Sequence, residues 1–203
     1  MAARLSVLAV LTWSVLAMAT ESPKFEVLKK YDGFEVRQYA GYVVAETEVE
    51  ASRSEAGNQA FGRLGGYIFG GNTAKKEIAM TAPVTQSQRI AMTSPVTQQA
   101  SGSKWVVQFS MPSSWTMQTL PVPNDARVTL REVAPKTMAV LRYSGTWSEA
   151  NYVEHLEKLK KQVTAAGLST VGEPVWARYD PPYTPWFMRT NEVQLELAPT
   201  PTP

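Results

Sequence analysis

Residues 77–98 read EIAMTAPVTQ (77–86), Ser87-Gln88, then RIAMTSPVTQ (89–98): two near-copies of one ten-residue segment set 12 residues apart. Each copy runs through Ile-Ala-Met-Thr and meets a proline, Pro83 or Pro95. Proline has no N–H to give a sheet ladder, so it belongs at a strand end, an edge or a bulge. The polar link Thr85 to Gln88 lets the chain turn back, and the pattern predicts a β-hairpin of two strands. The segment contains no nucleophile–base pair, no metal-ligand spacing and no phosphate loop. It reads first as scaffold. Were it to line a ligand site, the thioethers Met80 and Met92 would be its polarizable atoms.

Before the hairpin, Phe25 to Tyr31, Phe34 to Tyr39 and Tyr42 to Val49 read as strands, broken by Asp32-Gly33 and Ala40-Gly41. Ser52 to Phe69 reads as a helix, with Phe61, Leu64 and Ile68 on one stripe and Ala60 and Tyr67 beside them. Its glycines 57, 62, 65 and 66 weaken it as an isolated helix but allow close packing on a sheet or a flat ligand. After the hairpin, Lys104 to Met111 alternates, with Trp105, Val107, Phe109 and Met111 on one face. Arg127 to Val133 and Thr137 to Tyr143 follow as strands. A second helix runs from its cap Ser148 to Ala166 and stops at Gly167, with Tyr152, Leu156, Leu159 and Val163 as its stripe. Val175 to Tyr179 and Asn191 to Leu197 close the domain, the latter with Val193, Leu195 and Leu197 inward.

The halves repeat. An offset of 94 residues lays Val36-Arg37 on Leu130-Arg131, Ala45 on Ala139, and Ser54-Glu55-Ala56 on Ser148-Glu149-Ala150. Strand–strand–helix–strand therefore occurs twice, over about 25–111 and 127–197. One helix per unit argues for an α+β domain in which the strands join one antiparallel or barrel-like sheet with the helices packed outside. Residues 20–198 are expected to form this single domain, and 199–203 a disordered tail.

Residues 1–19 read as an export signal: Arg4, an apolar run Leu5 to Leu16, then the small-x-small site Ala17-Met18-Ala19. The run is too short to span a bilayer, and with no cysteine there is no lipoprotein anchor, so no stable membrane anchor is expected. The expected location is periplasmic or extracellular. Arg4 is the only charged residue of that segment, so its removal takes the net charge from +2 to +1. A near-neutral chain without a basic stripe speaks against nucleic acid as a partner. The absence of cysteine removes disulfides, thiolate chemistry and Cys-ligated haem.

His155 is the only histidine, which excludes His-paired metal sites and leaves at most one imidazole for catalysis. It falls on the border of the second helix's apolar stripe. The richer cluster is Tyr179 to Phe187, an aromatic, proline-stiffened loop between the last two strands. Its rings can cover a flat apolar ligand, with Arg178 and Arg189 meeting carboxylates at the rim, or the loop can fold back to close the core.

Taken in order, IAMTAPV (78–84), IAMTSPV (90–96), FSMPSSW (109–115), LPVPNDARVTLREV (120–133), MAVLRYSGTW (138–147) and YDPPYTPWFMRTNEV (179–193) resemble the SOUL/haem-binding protein family. The resemblance implies a distorted antiparallel β-barrel with two flanking helices and internal pseudo-twofold repetition. It also implies binding of haem or another tetrapyrrole in a groove between the first helix and the last inter-strand loop. Carried onto this chain, the groove would use Arg63, Tyr67, Tyr183 and Trp186. The N-terminal axial histidine proposed for some relatives has no counterpart, since no histidine precedes His155: a tetrapyrrole would be held mainly by apolar contact, or with a Met, a Tyr or His155 as iron ligand, or not bound at all. The resulting expectation is an exported haem carrier or buffer that works without catalysis. Its rivals are a haem-processing enzyme, removing iron or opening the ring, and an envelope module for another apolar ligand or a protein partner.

Overall fold

The computed structural model describes residues 20–74 and 87–199. Residues 1–19, on which the export reading falls, the first IAMT copy and the last four residues lie outside the described residues. The first three strands form as the sequence predicts: β1 (Phe25–Tyr31), β2 (Phe34–Tyr39) and β3 (Tyr42–Val49). Gly33 makes the β1–β2 turn at φ +89°, a left-handed conformation that glycine adopts without a Cβ penalty. Helix α1 (Arg53–Ile68) follows, then the short β4 (Asn72–Thr73), β5 (Val96–Ser101), β6 (Lys104–Ser110), the short β7 (Val122–Pro123), β8 (Thr129–Val133) and β9 (Lys136–Tyr143). Helix α2 (Glu149–Ala165), β10 (Thr170–Arg178), a 3₁₀ turn (Trp186–Met188) and β11 (Asn191–Leu197) complete the chain.

The first arm of the hairpin expected over 77–98 lies outside the described residues, and the second does not form as expected. The second copy is not a strand at Ile90–Met92; Thr93 makes one isolated bridge to Glu21, and the ladder begins after Pro95. Tertiary contacts hold this stretch instead. The Ile90 N–H donates to the Ile68 carbonyl at the end of α1, and the Thr93 hydroxyl donates to the Ser110 carbonyl. The hairpin that does form is β5–β6, turning at Gly102 (φ +59°).

Nine strands form one antiparallel sheet in the order β1-β2-β9-β11-β10-β5-β6-β3-β8, and β4 pairs with β7 apart from it. The sheet ends at β1 and β8, which do not pair, so the expected closed barrel is corrected to an open sheet. Both edges are exposed and charged, with Lys29 and Lys30 on one and Arg131 and Glu132 on the other, which disfavours further pairing.

The duplication is visible in the register. Ala45 pairs with Leu130 between β3 and β8, and Ala139 pairs with Val36 between β9 and β2. Both pairs map onto each other by the 94-residue offset, yet each joins strands from different repeats. The equivalent strands β2 and β8 are thus exchanged between the units. The pseudo-twofold axis passes through the centre of the sheet, where Gln98 of β5 pairs with Trp176 of β10.

Helix α1 packs Ala56, Ala60, Leu64, Tyr67 and Ile68 against Ala45, Val107 and Phe109. Phe61, expected in that stripe, lies on its flank at 44% exposure, edge-on to Phe109. Helix α2 buries Tyr152, Leu156, Leu159 and Val163, as its periodicity predicts, against Ala139, Leu141, Val193 and Leu195. Ser148 caps it by accepting from the Asn151 N–H.

The opposite face of the sheet is buried too, and polar. Glu192 is wholly buried and accepts from Arg37 (3.0 Å), Gln194 (3.0 Å), Arg142 (3.2 Å) and the Tyr179 hydroxyl (2.8 Å). Tyr39, Met138, Val140 and Val175 form a small apolar cluster on this side.

Candidate ligand site

The loop between β10 and β11 is rigid for reasons readable in its residues. Pro181, Pro182 and Pro185 fix φ, and Arg189 stitches the loop from inside, its Nε donating to the Thr184 carbonyl and its Nη2 to the Pro182 carbonyl, both at 2.8 Å. Asp180 accepts from the Thr190 N–H across the loop's base. The Trp186 carbonyl accepts from the Gly145 N–H at 3.0 Å, tying the 3₁₀ turn to the end of β9. With the backbone so held, the side chains of Tyr183, Trp186 and Phe187 point outward, while Tyr179 turns in to Glu192.

Tyr183 is 85% exposed, Trp186 58%, Phe187 61% and Met188 65%. Trp186 and Phe187 meet edge to face, with ring centroids 5.6 Å apart. The loop therefore does not fold back to close the core. It presents a contiguous apolar surface, the kind of feature that marks an interaction site.

The structure brings Tyr183 and Trp186 together in this loop and places the two α1 candidates elsewhere. Arg63 donates from Nη1 to the Glu48 carbonyl (2.8 Å) and the Thr47 hydroxyl (3.3 Å). Tyr67 is 2% exposed and its hydroxyl donates to the Pro121 carbonyl at 3.0 Å. Burial pushes that phenol well above its ordinary value, as expected for a core residue.

His155 is half-buried on α2 and stacks on Tyr143, centroids 4.1 Å apart at 14°. Its Nδ1 lies 2.7 Å from the Asn151 carbonyl. A carbonyl can only accept, so Nδ1 is the donor in this contact. Among the described residues no group of three or more His, Asp or Glu side chains could hold a metal ion, and no helix is long and apolar enough to cross a membrane.

Met188 escaped the sequence reading, which grouped the loop only as far as Phe187; a lone methionine after a proline-aromatic run carries no signal. A second concavity also escaped it. A cavity of about 610 Å³ lies between residues 21–24, the β2–β3 turn, the 110–117 segment and the β8–β9 turn. Tyr42, Met111, Trp115 and Met117 line it, with Thr93 of the second IAMT copy. Met92, by contrast, points out at 47% exposure.

Comparison with known proteins agrees with this architecture. Heme-binding protein 1 of Xenopus tropicalis is 27% identical over 166 residues, covering 78% of this chain and 84% of the relative. The Xenopus laevis protein of that name matches over the same extent. Among solved structures, the EcmrR C-terminal domain superposes with a TM-score of 0.55 at 9% identity, covering 82% of this chain and 98% of that one. A hydrolase from Listeria innocua gives 0.54 at 14% identity, covering 81% and 91%. At such identities these two likenesses concern the fold alone. The SOUL heme-binding protein family matches residues 20–196, nearly everything after the leader-like segment, and the chain belongs to that family.

Proposed function

We propose that the protein is an exported, non-catalytic tetrapyrrole carrier or buffer whose ligand, haem, is held mainly by apolar contact at the β10–β11 loop. The single observation that supports this site most is the outward-facing set Tyr183, Trp186, Phe187 and Met188 on a braced backbone. A flat macrocycle needs such faces, and preformed ones cost little ordering entropy on binding. Family membership and the haem-binding relatives supply the ligand class. Bound haem brings its own iron and absorption band; the chain contributes stacking surface and exclusion of water. Arg63 and Tyr67 on α1 stay in this reading as the groove's other wall, which the ligand reaches only if α1 is rearranged. Export rests on Arg4, the apolar run and Ala17-Met18-Ala19.

Haem titration of residues 20–203, followed by absorption, tests the reading. Saturation near one equivalent, weakened in Trp186→Ala and retained in His155→Ala, is the expected result. A non-saturating response refutes haem as the ligand. Loss in His155→Ala with an altered spectrum would make that imidazole the iron ligand.

A second reading is favoured by the 610 Å³ cavity, which lies within the usual size range of small-molecule sites. Here the protein binds another apolar small molecule beside Trp115. Displacement of a fluorescent apolar probe by no concentration of haem, with sensitivity to Trp115→Ala instead of Trp186→Ala, would select it.

A further inference from the structure

Beneath the N-terminal halves of the two helices, at the pseudo-twofold axis, lies a group of buried polar atoms without partners, most of them donors. Arg178 is 7% exposed, and neither its Nε nor its Nη2 has a partner. Those two atoms form one edge of the guanidinium, the fork that matches the two oxygens of a carboxylate. Gln98, 1% exposed, has both amide atoms unpartnered beside it, and Arg53 leaves Nε without an acceptor while an Nη pairs with Glu149 at 2.7 Å. No acid forms an ion pair with Arg178 among the described residues.

The surroundings are aromatic. The Arg178 guanidinium sits 4.1 Å from the Trp176 ring centre and 4.7 Å from that of Trp147; Arg53 sits 3.8 Å from Tyr152 and 4.9 Å from Trp105. These ring faces offset part of the cost of burying two cations. Burial nonetheless lowers the Arg178 pKa to about 10. Helix α1 closes the group from above at Gly57, where an added Cβ would lie 2.9 Å from Gln98 Nε2 and 3.0 Å from Arg178 Nη1.

We propose that this cluster is a carboxylate-binding site, in which the free edge of Arg178, helped by Gln98 and Arg53, takes the carboxylate of a planar, apolar acid lodged among the surrounding rings. The acid enters as α1 moves off the sheet at Gly57, and its oxygens satisfy donors that the closed form leaves unpaired. The site lies under α1, with Trp147 between Arg178 and the loop's Arg189, and the proposal does not rest on the tetrapyrrole reading. Two sources share the chemistry: a free aromatic acid, or the propionates of a porphyrin.

Trp147 and Trp176 are built-in reporters. Titration of residues 20–203 with benzoate at constant ionic strength, read by tryptophan fluorescence and thermal midpoint, is expected to saturate and to raise the midpoint. Acetate, lacking the ring, should bind at least about tenfold more weakly. Arg178→Lys keeps the charge and loses the fork, and should weaken benzoate about tenfold or more, the loss expected for one charge-assisted hydrogen bond. Arg178→Met should abolish the response; if that variant does not fold, Arg178→Lys still decides. Protoporphyrin compared with its dimethyl ester separates the two sources, since only the free acid needs the edge. No saturable benzoate effect together with equal binding of acid and ester overturns the proposal, as does a benzoate response undiminished in Arg178→Lys.

Discussion

Gln98 and Trp176 face each other directly across β5 and β10, at the point where the two repeats meet their pseudo-twofold axis. One duplicated unit supplies a small amide and the other a large indole at the equivalent position, each 1% exposed. The backbone kept the symmetry of the duplication while the side chains at its centre abandoned it. Function in duplicated folds commonly resides in such departures, since only there can the two halves present different chemistry to one ligand.

Glu192 is the buried carboxylate on which Arg37, Arg142, Tyr179 and Gln194 converge. Removing its charge leaves Arg37, 3% exposed, with the partly exposed Glu35 as its remaining counter-charge. Glu192→Gln is expected to cost about 3–5 kcal/mol in urea unfolding, and Arg37→Met/Glu192→Met to recover most of it, because a buried pair stabilises little over apolar isosteres. A single variant within 1 kcal/mol of wild type would contradict this account.

Leu64 on α1 and Leu159 on α2 are both fully buried, one under each repeat. Alanine at either should cost about 2–5 kcal/mol. Because the sheet runs unbroken through both units, each variant should shift one shared transition. Two resolved calorimetric transitions in Leu159→Ala would show that the halves unfold separately.

Alkaline stability should fall. Burial is the main cause raising the phenols of Tyr42 and Tyr152 to about 12, and it raises Tyr39, Tyr67, Tyr143 and Tyr179 as well. A raised folded value stabilises fully below the unfolded value near 10, and the contribution drains away as pH climbs toward 12, because the unfolded chain alone releases its protons. Burial lowers Arg178 to about 10 and also lowers Lys136, which works the other way. Six phenols against two cations leaves a net loss. Urea midpoints at about pH 9 and about pH 11 check the sign; an equal or higher value at the upper pH would reverse it.

Asn72 is 1% exposed and clamps the end of α1 to the chain re-entering at Gln88. Its Nδ2 donates to the Tyr67 and Gln88 carbonyls, and its Oδ1 accepts from the Gln88 N–H. Asn72→Ala should cost about 1–3 kcal/mol for each of the groups it leaves unpaired and buried, less what water recovers. Asn72→Asp, which sets a buried carboxylate oxygen against the Tyr67 and Gln88 carbonyls, should cost at least as much as alanine in chemical denaturation at neutral pH.

The alternation and turn residues of 25–49 were enough to place β1, β2 and β3, and the stripe of α2 was fully legible. Neighbourhood in the sheet was not. Nothing local in β2 says that it joins β9 and leaves β3 to β8, since that choice belongs to the pairing of the two repeats. Alternation also misleads in Asn191–Leu197. Val193 and Leu195 point to α2 as read, but Glu192 and Gln194 are equally buried, because the far face of the sheet is covered as well. The IAMT copy at Ile90–Thr93 has strand-like composition, and tertiary hydrogen bonds to Ile68 and Ser110 override it. At the binding loop the residue types were legible from proline and aromatic content; that Tyr67 is core was not, since an α1 tyrosine beside glycines reads equally as a groove wall.

The exchange of β2 and β8 has a consequence for how the protein is made. A ribosome releasing the chain from its N-terminus delivers β2 and β3 long before β8 and β9, the strands that flank them, exist. Until about residue 178 has emerged, the first unit holds unpaired borders at β2, β3 and β5 and cannot complete its layer. Folding must therefore wait for nearly the whole chain, with the late β9–β11 insertion acting as the keystone. A half-length fragment, for the same reason, would complete its sheet only by pairing with a second fragment.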